Sequence, residues 1–190
     1  AFGRLPFPKL GMDYNIYFHS CGVGKIVESL EKFAPIMAFI FEPIQGEGGI
    51  NIPDTRILRG LIKSLNERGI AIIADEVQTG LGRTGKMWAC EHFGIEPDML
   101  ITSKSLGAGI PVGAVIVNAD KFPDLEPGMH SGSHHATPLA VAAAIANIDK
   151  ILNENLVERS LFYGEYATRR LKEIAKNYPA ITDVRGVGLM

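Results

Sequence analysis

Two apolar runs in this sequence each end on a residue with reactive chemistry. Ile70-Ala-Ile-Ile-Ala-Asp75 delivers a carboxylate, followed by Glu76, Val77 and Gln78, and Asp98-Met-Leu-Ile-Thr-Ser-Lys104 delivers an amine. Apolar runs of this length read as buried strands, and in open α/β sheets ligands sit beyond the carboxyl ends of the strands. The pattern therefore places Asp75 and Lys104 on one rim. An amine that condenses with an aldehyde, next to an acid that keeps a pyridine nitrogen protonated, is the pair that pyridoxal phosphate chemistry requires. In that reading Lys104 holds the cofactor, exchanges it for the substrate amine, and then moves a proton as a free amine. Asp75 stabilises the charged ring, because an anion a hydrogen bond away favours the protonated form. Lysine alone carries little weight, since most lysines are solvated surface; its position at a strand end is what singles out Lys104.

Two rival chemistries are weaker. Gly80-Leu-Gly82-Arg83-Thr-Gly85 matches the GxGxxG pattern of nicotinamide-binding domains. In that fingerprint the first glycine makes the turn directly at the strand end and a helix starts at once. Here Glu76 to Thr79 intervene, so the segment is expected to be a surface loop with glycines at positive φ. His130, His134 and His135 cluster around Ser131-Gly132-Ser133, which reads as a loop, with no carboxylate or cysteine at metal-ligand spacing. No metal is expected there. The Ser133 hydroxyl, in a Gly/Ser loop, is a candidate phosphate donor.

The elements that must position these residues follow from the pattern. Residues 24–33 read as a helix, and Ile36-Met-Ala-Phe-Ile-Phe41 as a strand buried on both faces. A glycine-rich loop follows, Glu42-Pro-Ile-Gln-Gly46-Glu47-Gly48-Gly49. The next helix starts at Pro53-Asp54-Thr55, carries Ile57, Leu58, Leu61, Ile62 and Leu65 on one stripe, and stops at Gly69. Strand, helix and strand make a βαβ unit, so the sheet is expected to be mainly parallel. Val112-Gly-Ala-Val-Ile-Val117 comes too soon after the strand that ends near Lys104 for a crossover, which favours an antiparallel neighbour. Residues 138–152 form an Ala-rich helix. Residues 156–176 form an amphipathic one, with Leu161, Leu171 and Ile174 expected in the core.

Composition excludes several classes. The 190 residues are 46% hydrophobic with a net charge of −2, which suits one globular domain with a packed core, or the larger part of a bigger one, and gives no electrostatic reason to bind nucleic acid or an anionic membrane. No apolar run approaches membrane-spanning length. Cys21 and Cys90 are far apart and read as two reduced thiols, as in a cytoplasmic protein. The chain begins without methionine in Pro-rich sequence and ends in Val184-Arg-Gly-Val-Gly-Leu-Met190, the apparent start of a strand, so a segment of a longer protein is expected.

Three motifs, Glu42-Pro-Ile-Gln-Gly-Glu47-Gly-Gly49, Asp75-Glu-Val-Gln78-Thr-Gly-Leu-Gly-Arg83-Thr-Gly85 and Pro97-Asp98 with Ser103-Lys104-Ser-Leu-Gly, occur in this order. The sequence resembles the class III aminotransferases, pyridoxal-phosphate enzymes of fold type I. The resemblance implies an α/β large domain with a mainly parallel sheet and helices on both faces, spanning residues 1–153. Residues 154–190 would then be the connecting helix and the start of a small C-terminal domain. It implies Lys104 as the Schiff-base lysine, Asp75 as the pyridine partner, Val77 packed on one ring face and Gln78 on the ring hydroxyl. Glu47 matches the acid that in some members pairs with a C-terminal arginine at the substrate site. Ser133 matches a residue, usually threonine, that reaches the cofactor phosphate of a neighbouring subunit, which implies a homodimer with shared active sites. Where the family usually reads Thr-aromatic-Gly-Gly-Asn/Ser-Pro, this chain has Ser133-His-His-Ala-Thr-Pro138. The family's N-terminal phosphate loop and C-terminal carboxylate-binding arginine have no counterpart in this segment, so the segment alone is expected to be inactive. The implied reaction transfers an amino group from an amino acid, such as 4-aminobutyrate or an ornithine-type amine, to a 2-oxo acid. An amino-acid racemase of the same family, or a non-catalytic fragment, is the alternative.

Overall fold

The computed structural model describes residues 23, 36–122, 126–128, 130, 132–133 and 135–190. The helix expected over 24–33, together with Cys21 and His134, lies outside them. Four strands form one sheet, β1 (Ala38–Phe41), β2 (Ala71–Asp75), β3 (Met99–Thr102) and β4 (Ala114–Val117). They lie side by side in chain order. The first three are parallel and β4 is antiparallel to β3, as the short connection requires. Among the described residues, three longer α-helices accompany the sheet, α1 (Thr55–Asn66), α2 (Pro138–Asn153) and α3 (Leu156–Ala175).

Helix α1 forms where the start signal sits. Asp54 Oδ1 accepts from the N–H groups of Arg56 at 2.8 Å and Ile57 at 3.3 Å, satisfying donors that no helical carbonyl can reach. The Arg56 side chain and these backbone donors hold the Asp54 carboxyl below its ordinary range. Leu58, Leu61, Ile62 and Leu65 are buried. They join Ile72, Ala74, Cys90, Phe93 and Leu100 in the main core, each large side chain contributing about 2 kcal/mol of burial. Gly69 then turns the chain into β2 at φ +71°.

Three expectations are corrected. First, β1 is not buried on both faces. Among the described residues it is an edge of the sheet, with Met37 84% and Ile40 56% exposed. An apolar run identifies a strand but not its neighbours.

Second, the 80–85 segment is not a surface loop. Gly80, Leu81, Gly82, Thr84 and Gly85 are buried, and Arg83 alone is exposed. A Cβ on Gly80 would lie 2.7 Å from the Trp88 ring, and one on Gly85 would lie 2.8 Å from Leu161 Cβ. These glycines admit close neighbours, and Gly82 and Gly85 also hold positive φ, +84° and +82°. The segment is a run of turns with no helix opening from it, which removes the dinucleotide reading.

Third, Leu161, Leu171 and Ile174 of α3 do not lie in the core; they are 38%, 51% and 43% exposed, and Leu161 meets the fold at Gly85. The first turn of α3 packs Leu156 and Val157 on Leu81, Leu106 and Ile151. Beyond that the helix docks through smaller residues: Ser160 Oγ donates to Arg83 O at 3.0 Å, and Gly164 lies under the Gly188 carbonyl. Sequence periodicity ranks residues by hydrophobicity, whereas close approach of backbones selects for smallness. Gly164→Ala tests this. Helix propensity alone would favour alanine by about 1 kcal/mol. The added methyl would run into the backbone of Gly188, and overpacking costs about 1–3 kcal/mol. With the contact falling on backbone rather than on a flexible side chain, we expect a net loss of up to about 2 kcal/mol, read as a lowered urea midpoint at unchanged m-value.

Candidate active site

Parallel pairing of β2 with β3 brings their carboxyl ends to the same edge of the sheet. Asp75 is the last residue of β2 and pairs in register with Ile101, three residues before Lys104. Its Oδ1 accepts from Val77 N at 3.1 Å, so the carboxylate closes the turn that follows it. Asp75, Val77 and Gln78 are all half-buried.

Lys104 follows β3 and opens a 3-10 turn, Lys104–Gly107. Its φ is +41°, in the left-handed region. A residue with a Cβ is held there at a cost of about 1–3 kcal/mol, and such strain gathers at functional sites. Neighbouring contacts keep it in place. Asn147 of α2 donates Nδ2 to Ser105 O at 2.7 Å and to Leu106 O at 3.3 Å, and Ser103 Oγ donates to Val112 O at 2.7 Å. Lys104 Nζ in turn donates to Gln78 Oε1 at 3.0 Å. The Thr102 hydroxyl, just upstream, is buried without a hydrogen-bond partner among the described residues.

Glu76 faces away from Asp75's role. It is 1% exposed, and its Oε1 accepts from Cys90 N at 2.8 Å while Oε2 accepts from the Thr79 hydroxyl. Gly80 N closes on its carbonyl at 3.0 Å. Burial, reinforced by the neighbouring Glu76 carboxylate, pushes the Cys90 thiol well above its ordinary pKa. An inert, protonated thiol follows.

The remaining candidates are not drawn into this network. Glu47 is exposed in a turn closed by Gly49 N to Gly46 O at 3.0 Å. Ser133 is exposed in a turn closed by His135 N to Gly132 O at 3.2 Å. Hydrogen bonds among the described residues join Lys104 to Gln78 but reach neither Glu47 nor Ser133. His130 and His135 stack with ring centroids 4.6 Å apart.

Residues 8–190 match the family model described as Aminotransferase class-III. The chain belongs to the class III aminotransferases. It is 39% identical over 194 residues to a putrescine aminotransferase of Pectobacterium atrosepticum, covering 98% of this chain and 42% of that protein. It is 47% identical over 153 residues to an ornithine aminotransferase of Bacillus cereus, covering 80% of this chain and 38% of that one. The solved ornithine aminotransferase of Toxoplasma gondii superposes with a TM-score of 0.81 at 37% identity, over 88% of this chain and 39% of its own; its structure is described as having partial occupancy of PLP at the active site. The chain thus spans about two-fifths of the relatives it matches. For this class III aminotransferase the sheet is mostly parallel and the fold is α/β, in agreement with the sequence reading.

Sequence reasoning missed Glu76 and Asn147. Each left a signal, an acid directly after a strand end and an amide in the middle of an alanine-rich helix. Neither signal says which backbone groups the side chain will find.

Proposed function

We propose that this chain is the cofactor-binding part of an enzyme that transfers an amino group from an amino acid to a 2-oxo acid. The observation that carries the reading is the strained Lys104 turn beside Asp75 on one rim, with the lysine amine on Gln78. Class III aminotransferases work with pyridoxal phosphate, and the residues present fit it: a half-buried carboxylate, a carboxamide and an exposed amine on adjacent strand ends. When bound, the cofactor supplies a carbonyl that combines with amines and a pyridinium ring that withdraws electrons from the substrate Cα.

The chain's own residues supply the rest. Asp75 places a negative charge at the ring nitrogen, with its Oδ1 already turned by the Val77 N–H. Lys104 Nζ would hold the cofactor and, once freed, would take up and return a proton at the substrate Cα. Val77 would pack on the ring and Gln78 would bond its hydroxyl when the cofactor is bound. Ser133 donates its hydroxyl to the phosphate of a second copy's cofactor, which makes the active unit a homodimer, and Glu47 lies towards the substrate. Residues 1–153 then belong to the large domain and 154–190 lead into the small one. A left-handed turn at Asn155, φ +51°, separates α2 from α3 and supports a boundary near this point.

Ornithine-type amines and other ω-amino acids are the proposed donors, on the strength of relatives named for ornithine and putrescine. The same names do not favour a racemase. Among the described residues no helix is long and apolar enough to cross a membrane. A cytoplasmic enzyme is proposed, consistent with the buried free thiol of Cys90.

The test uses the full-length protein purified with pyridoxal phosphate. Ornithine, putrescine and 4-aminobutyrate are supplied in turn with 2-oxoglutarate, and glutamate formation is measured beside a chiral assay of each chiral amino acid. Glutamate formation with retained donor chirality is the expected result. Racemisation without amino transfer, or neither reaction, would sink the proposal.

A further inference from the structure

Three loops meet at the rim, and the one after β1 brings to the proposed site, besides Glu47, a glycine with no assigned role. Within it Gly46 is buried. Its N–H donates to Glu42 Oε2 at 2.9 Å, and its carbonyl accepts from Gly49 N at 3.0 Å and Ile50 N at 3.3 Å. Its φ lies outside the left-handed region, so any residue could adopt its backbone conformation. Space is what excludes a side chain. A methyl group at position 46 would fall on the Gln78 carboxamide, whose Cδ, Oε1 and Nε2 are the nearest atoms. That same Oε1 is the acceptor for Lys104 Nζ at 3.0 Å.

We propose that Gly46 is a positioning residue for Lys104. The missing side chain seats the Gln78 carboxamide so that its oxygen faces the lysine amine. Gly46 touches neither substrate nor cofactor; it acts through Gln78. The inference rests on the reading of Lys104 as the cofactor-bearing lysine. Gln78 has a flexible end, so a methyl at 46 would be accommodated by swinging the amide away. The fold then survives and the Lys104 contact is lost, which is how a positioning role differs from a packing one.

The experiment compares four full-length holoenzymes: wild type, Gly46→Ala, Gln78→Ser and the double variant. Each is diluted, reduced with borohydride, and mapped for the fraction of Lys104 that carries a pyridoxyl group. Gly46→Ala is expected to weaken cofactor retention about tenfold against wild type. In the Gln78→Ser background, where the carboxamide is absent, it is expected to change retention less than twofold. Such non-additivity is the mark of two residues acting through one contact. Equal losses in both backgrounds would make Gly46 a packing residue and overturn the proposal, as would no loss in either. If Gly46→Ala does not fold, the double variant decides: folding with retention equal to Gln78→Ser supports the proposal, and failure in both backgrounds overturns it. A wild type with no pyridoxyl group on Lys104 would remove the proposed function and this inference together. A labelled wild type with an unaffected Gly46→Ala would remove this inference alone.

Discussion

Lys104→Ala in the full-length enzyme is expected to reduce transamination by about a thousandfold or more, with no pyridoxyl group recovered at that position after borohydride reduction. Loss of a positioned general base alone removes about 10²–10⁴ in rate, and loss of the covalent hold on the cofactor adds to it. The fold is expected to tolerate the change. Lys104 is exposed, and its hydrogen bond to Gln78 is at the surface, where substitutions shift stability by about 0.5 kcal/mol or less. Alanine also keeps a Cβ at φ +41°, so the local strain is unchanged. A small exogenous amine such as methylamine should restore part of the rate by replacing the missing base. Activity near the wild-type level in this variant would remove the lysine from the mechanism.

Asp75→Asn carries the second-largest expected effect, a fall of two to three powers of ten in kcat. A unit charge facing an opposite charge about 4 Å away, at the effective dielectric of a half-buried site, is worth about 4 kcal/mol. Each 1.36 kcal/mol of lost transition-state stabilisation is about tenfold in rate. Asparagine removes the charge but keeps a carbonyl oxygen that can still accept from Val77 N, the bond that closes the turn. Stability should therefore stay within about 0.5 kcal/mol of wild type while turnover collapses. Steady-state kinetics with a urea titration on the same sample separates the two. A variant that lost stability and activity in proportion would place Asp75 among residues that merely hold the strand end.

The two effects differ in where they should show. Lys104→Ala removes both cofactor attachment and proton transfer, so cofactor retention and rate fall together. Asp75→Asn leaves the amine in place, so the pyridoxyl group should still be recovered on Lys104 from an enzyme that turns over slowly. Gly46→Ala, in contrast, acts on retention only while Gln78 keeps its carboxamide.

Much of the architecture could be read from local pattern. Apolar runs ending on Asp75 and Lys104 located two strands within a residue or two of β2 and β3. Asp54 marked the start of α1, and the brevity of the link to Val112 predicted that β4 would run antiparallel. These features depend on spacing along the chain, which sequence carries directly. Their consequence, an acid and an amine on one rim, follows from parallel pairing.

Other features depended on what each element meets in space. Nothing in the stripe of Leu161, Leu171 and Ile174 shows that α3 would rest on its first turn and on Ser160 and Gly164 while those three stay partly exposed. The glycines of 80–85 carry a pattern equally suited to a phosphate turn, a surface loop or the buried crossing that the structure contains. The partners of Glu76 and Asn147, and the empty space at Gly46 that admits Gln78, are likewise set by residues distant in sequence. The sequence by itself determined the family, the order of the strands along the chain and which acid and amine are proposed to react, because motif order and periodicity are one-dimensional properties. Only the tertiary structure decided how Lys104 is held: its left-handed turn, the Asn147 bonds to the carbonyls that follow it, and the Gln78 oxygen in front of its amine. The physical reason is that close packing and hydrogen-bond pairing depend on which surfaces meet, and that is settled only when the loops after β1, β2 and β3 come together.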